Sequence, residues 1–193
     1  MELQHVDITL QLHADNGLDL SEVVPIFHNW IQEQESDEVL IDVADYRHVF
    51  DGPGVVLIGK DGDYSVGTAH GRLGLRYYRK SPLEGSNSDR LGQAFSSALK
   101  ACQRLQLADG LTHQVQFEGR HLQVVANDRL LTPNSETTYQ QLQPELERFF
   151  ERVAVNNAVA LSAEQDRRRL FGFDVEWKTP LRIDEVLRRL EEL

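Results

Sequence analysis

The sequence predicts an α+β protein, with antiparallel or mixed sheets and about four helices packed on one face. Three observations lead there. Strand-like segments follow one another directly more often than they alternate with helices, whereas a doubly wound parallel sheet needs strict alternation. Asp61-Gly62 falls between two strand-like runs, a strong two-residue hairpin signal and hence one for antiparallel pairing. The helical segments are amphipathic, each with one apolar stripe to bury.

The elements can be taken in order. Val6, Ile8, Leu10 and Leu12 alternate with Asp7, Thr9 and Gln11, the period of a half-buried strand. A helix follows over about 21–34, with Val23, Val24, Phe27, Trp30 and Ile31 at helical spacing. Asp19 and Glu22 resemble a capping box, and Pro25 is read as part of the first turn. The dense runs Val39-Leu40-Ile41 and Val55-Val56-Leu57-Ile58 read as strands covered on both faces, central in the sheet. Asp61-Gly62 joins the second run to a strand near 64–68, and His70-Gly71 turns the chain into another over 73–78.

Residues 81–88 (SPLEGSNS) read as a linker, with Ser88 placed to cap a helix whose stripe runs Leu91, Ala94, Phe95, Ala98, Leu99, Cys102, Leu105. A hairpin is expected through Val115 and Phe117, turning at Glu118-Gly119-Arg120 and returning through Leu122 and Val124. Thr132-Pro133-Asn134-Ser135 opens a helix that Pro144 should kink or restart. Val159 and Leu161, then Phe171, Phe173, Val175 and Trp177, form a last strand pair. The closing helix carries Val186, Leu187, Leu190 and Leu193. The order is β-α-β-β-β-β-α-β-β-α-β-β-α. It reads as one domain over 1–193, or as sub-domains 1–80 and 88–193 joined by 81–88.

Composition narrows the classes of function. At 193 residues, 40% apolar and 26% charged, the chain can bury a core without staples. The lone Cys102 cannot close an internal disulfide, which makes a reducing cytoplasm the expected compartment. Residues 1–13 alternate where a signal peptide would be continuously apolar, so the mature chain is expected to begin near Met1, and no run reaches membrane-spanning length. A net charge of −11 argues against nucleic acid as a partner. The two basic runs, Arg72/Arg76/Arg79/Lys80 and Arg167-Arg168-Arg169, read as solvated surface.

The densest set of reactive groups is Asp42, Asp45, His48 and Asp51, with His70 a hairpin later. Three carboxylates and an imidazole within ten residues are an inventory for acid–base or metal chemistry. The same residues also suit strand-end caps and a tight turn at Asp51-Gly52-Pro53-Gly54. No metal-binding motif is present, no P-loop, and no GxSxG elbow, and no cofactor is indicated. Gly52 and Gly54 precede a strand, whereas a dinucleotide loop precedes a helix. His70 is a candidate binding residue, as are Asp128 and Arg129 of the second polar concentration. Their loop and the 42–54 loop are expected to line one cleft if the halves pack together. Cys102, on an apolar stripe, reads as a buried and unreactive thiol.

Two readings follow. The first is a non-catalytic binding or protein-interaction module, self-associating or meeting a protein partner, with the last helix as a docking stripe. The second is a metal-dependent or acid–base hydrolytic enzyme built on Asp42, Asp45, His48 and Asp51. It requires those side chains to converge on one accessible pocket.

Overall fold

The computed structural model describes residues 1–15, 17–69, 71–154 and 158–192. Along the chain run β1 (Val6–Leu12), α1 (Leu20–Glu33), β2 (Leu40–Asp45), β3 (Val55–Gly59), β4 (Gly62–Ala69) and β5 (Arg72–Arg79). Then come α2 (Asn87–Gln106), β6 (Phe117–Ala126), α3 (Glu136–Val153), β7 (Val159–Ala163), β8 (Phe171–Trp177) and α4 (Ile183–Leu190). The eight strands make one antiparallel sheet in the order β2-β3-β4-β5-β1-β6-β8-β7. The α+β class stands as expected.

β1 organises the sheet, pairing with β5 on one side and β6 on the other. The stretches before and after residues 81–88 therefore share one sheet. Its alternation decides the two faces. Ile8 lies in a row with Leu57, Tyr64, Tyr77, Val124 and Phe173, and Leu10 in one with Val55, Val66, Leu75, Leu122 and Val175. All are buried in the core that the four helices cover. α2 contributes most, with Leu91, Ala94, Phe95, Ala98, Leu99, Cys102 and Leu105 inside. The opposite face shows Asp7, Thr9, Ser65, Arg76, Gln123 and Asp174, and no helix packs over it among the described residues.

Several local expectations are corrected. The run Val39-Leu40-Ile41 is not central: β2 is an edge strand, Leu40 alone is buried, and Val39 and Ile41 are more than half exposed. A register shift between Leu40 and Asp42 turns the run off the core. The expected 115–124 hairpin is one strand, β6. Gly119 takes φ +68 there as a bend within the strand, and its backbone packs so closely on Leu181 that a Cβ would lie 2.6 Å from the Leu181 oxygen. Pro25 sits well inside α1, not in its first turn, and the Ser21 carbonyl deprived of a partner belongs to an exposed residue. α3 runs through Pro144 without interruption. The cap of α2 is Ser86, paired reciprocally with Asp89. α4 spends Val186, Leu187 and Leu190 on this chain's own core, so that stripe is not open for docking, and Leu193 lies outside the described residues.

Candidate functional site

The open face carries the most developed polar site. At its centre the Arg76 guanidinium, from β5, donates to both oxygens of Asp7 on β1, at 2.8 and 2.7 Å through Nε. Asp7 is only 3% exposed although no helix covers it. Burial pushes its carboxyl above the usual range, opposed by the hydrogen bonds and charge of Arg76. Thr9 is buried beside it.

Two adjoining hollows open from this centre, of about 410 and 510 Å³, and both are lined by Thr9, Arg76 and Arg169. The first adds Asp7, Gln123, Arg129 and Asp174. The second adds Asp51, Gly52 and Pro53, with Ser65, Gly67 and Thr68. Gly67 and Gly74 face each other across β4 and β5. A Cβ at Gly67 would stand 2.3 Å from the Pro53 oxygen, so this glycine lets the 51–54 turn lie against the sheet.

The loops that frame the face are held by their own polar groups. Tyr46 N donates to the Gly54 oxygen at 2.8 Å, closing the 46–54 loop, with Asp51 at φ 54 and Gly54 at φ 75. On the far side Arg129 donates to the Arg168 and Arg169 carbonyls, and Asn134 to that of Asp166. That contact fastens the 127–134 loop to the β7–β8 connection, from which Arg169 reaches the hollows. Asp51 and Arg129 thus line adjoining hollows.

The remaining predicted residues do not join them. Asp42 lies on the edge strand and accepts from the Val43 N–H. Asp45 chelates the Arg47 guanidinium and backbone, and those hydrogen bonds hold its carboxyl down at about 2. His48 is exposed in the loop. His70 lies outside the described residues. Asp128 accepts from the Leu130 and Leu131 N–H groups, an ordinary turn role. Among the described residues no three His, Cys, Asp or Glu side chains are placed to hold a metal ion together.

Sequence reasoning missed Asp7, Thr9, Arg76 and Arg169. Asp7 and Arg76 were both legible as outward residues of strands, but only the β1–β5 register brings them together. The other basic residues of that run are paired as well: Arg72 with Glu118, Arg79 with Glu38, Lys80 with Asp63. The arginines of the second run at 168 and 169 pair with Asp166 and Glu164.

Compared with known proteins, the chain matches no family model and no curated protein.

Proposed function

We propose that the chain is a non-catalytic binding module that receives a protein partner on the open face of its sheet. One observation carries the reading. Phe50 is fully exposed and Leu130 is 94% exposed, and each is the chain neighbour of a residue lining the hollows, Asp51 and Arg129. Large apolar side chains held in water at the rim of a polar hollow are what a protein interface buries on assembly. Tyr46 and Val49 extend the apolar rim on the first loop and Leu131 on the second. Arg76, Arg129 and Arg169 supply the arginines that such surfaces favour.

The non-catalytic part rests on how the carboxylates are spent. Asp7 and Asp45 are each held by an arginine, and Asp128 by backbone, which leaves them poor candidates for moving protons. The single buried thiol of Cys102 suits a reducing compartment, and we place the protein in the cytoplasm on that ground. No helix among the described residues is long and apolar enough to cross a membrane.

Photo-crosslinking in the native cell tests the proposal. A benzophenone side chain placed at position 50 or 130 should give discrete protein adducts, a second copy of this chain counting as a partner. The same group at Arg188, on the exposed side of α4, should not. Equal adducts from all three positions, or none from 50 and 130, would end the reading.

A further inference from the structure

A second cavity, on the helix-covered side of the sheet, has no part in the open-face reading. It lies beneath the segment joining α1 to β2 and has a volume of about 290 Å³. Trp30, Leu40, Leu57 and Tyr64 give it an apolar and aromatic wall, and Ser36, Glu38 and Ser97 bring polar groups to it. Two ion pairs tie this region to α2 across the cavity: Arg104 with Glu33 at the end of α1, and Lys100 with Asp37 of the segment at 2.7 Å. The volume is close to the lower end of small-molecule sites, roughly 300 Å³.

Charge inside this cavity is unevenly satisfied. Both lining cations are engaged, Lys100 by Asp37 and Arg104 by Glu33 and by the Trp30 ring 4.6 Å away. Of the lining carboxylates, Asp37 alone has a close cation among the described residues, and Glu38 pairs with Arg79 at longer range. Glu35 makes no ion pair among the described residues. The Glu38 side chain is only 8% exposed. Its Oε1 accepts the Tyr77 hydroxyl and a long contact from Gln93 Nε2 at 3.4 Å, with Arg79 Nη1 at 3.7 Å. Among the described residues its Oε2 accepts one hydrogen bond, from the Tyr64 hydroxyl at 3.5 Å.

The same cluster is short of donors elsewhere. Gln93 donates its Nε2 to the Ser97 and Tyr77 hydroxyls at 3.0 and 3.1 Å and only at 3.4 Å to Glu38, and its own Oε1 is left buried with no partner among the described residues. Neither tyrosine relieves this by changing state. Burial foremost, then the neighbouring Glu38, raises the Tyr64 hydroxyl and holds Tyr77 at about 12. A buried carboxylate oxygen whose donor stands as far off as 3.5 Å is poorly satisfied. With Arg79 held at 3.7 Å from the other oxygen, there is a place for a closer cation with hydrogen-bond donors.

We propose that this cavity binds a small primary amine, its ammonium group against Glu38 Oε2 and the Ser36 and Ser97 hydroxyls, its carbon skeleton against Trp30, Leu40 and Tyr64. An ammonium fits better than a guanidinium, whose planar fork needs both carboxylate oxygens, because Oε1 is already taken. An anion is disfavoured because both lining cations are already paired.

The experiment uses tyramine and 1,4-diaminobutane as probes, with butanol and butyrate as the neutral and anionic controls, on the full chain at pH 7. Thermal melting and Trp30-dependent fluorescence are the readouts. Either amine at a hundred times its Kd should raise Tm by about 5 °C or more, with saturation. The controls should not. Glu38→Gln should weaken amine binding at least about tenfold, and Asp42→Asn should leave it unchanged. Should Glu38→Gln fail to fold, Ser97→Val tests the same point by filling the cavity, and it too should abolish the shift. The proposal is overturned if neither amine shifts Tm, if butanol matches them, or if the shift survives in the folded variants Glu38→Gln or Ser97→Val. Because the crosslinking positions lie on the opposite face, either proposal can fail without the other.

Discussion

Replacing Arg76 by Met removes the cation that is hydrogen-bonded to Asp7 and leaves the carboxylate in place. The two partners are unequally buried: the Asp7 side chain is 4% exposed and that of Arg76 43%. Losing one partner of a buried pair typically costs about 3–5 kcal/mol, because the other is stranded without water. Removing Asp7 instead should be mild, about 1 kcal/mol, since Arg76 can turn its guanidinium into solvent. The double variant Asp7→Asn/Arg76→Met should therefore resemble Asp7→Asn alone, a strongly non-additive cycle. In a chain of 193 residues the Arg76→Met loss is roughly 6–20 °C in Tm.

The pH dependence has a definite sign. Asp7 has a folded pKa raised above the 3.8 of the free side chain, so protonation favours the folded state. That contribution is complete below about pH 3.8 and is lost as pH rises through the folded value. Without Arg76 the folded value climbs further, so the deficit of Arg76→Met should be largest at neutral pH and shrink as pH falls toward 4. Urea unfolding followed by tryptophan fluorescence at pH 7 and 4.5 reads both effects. An Arg76→Met deficit below about 1 kcal/mol at pH 7, or one of equal size at both pH values, would refute the reasoning.

Other expectations are checked as simply. Gly54→Ala should destabilise by clearly more than Gly71→Ala in equilibrium unfolding. Both have positive φ, worth about 1–2 kcal/mol of strain, but at Gly54 the Cβ would lie 2.2 Å from the Val66 oxygen, and at Gly71 nothing stands within 4 Å. Phe50→Ser should leave stability within about 0.5 kcal/mol in the same assay, since the side chain touches solvent only. Cys102, raised by burial, should resist a thiol reagent in the folded protein and react at the rate of unfolding when urea is added.

How much was legible in the sequence depends on how far apart the deciding residues lie. The alternations of β1 and β8 and the stripe of α2 are local patterns, and each forms the element its period predicts. Val39-Leu40-Ile41 misleads because an apolar run does not reveal how many neighbours a strand has; β2 has one, and a bulge points Ile41 outward. Glu118-Gly119-Arg120 carries ordinary turn chemistry, but the chain continues through it as β6, paired with β1 and β8, and the glycine serves the close approach of Leu181, 62 residues away. At the candidate site, Asp51 and Arg129 were visible as polar loop residues. Asp7 and Arg76 were not, because each alone is an ordinary outward strand residue and their meaning comes from a pairing 69 residues long. The cluster of Asp42, Asp45 and His48 drew notice through sequence proximity, while the fold spends two of its members on adjacent backbone and on Arg47.

The proposed binding face is tested most directly by titrating the protein captured at position 50 against purified variants in a calorimeter. Phe50→Ser or Leu130→Ser should weaken binding by about thirty-fold, the roughly 2 kcal/mol of an interface hot spot. Leu107→Ser, which removes a comparably exposed apolar residue at the end of α2 on the helical side, should leave Kd unchanged. Loss of binding in Leu107→Ser, with Phe50→Ser and Leu130→Ser unaffected, would contradict the assignment of the open face.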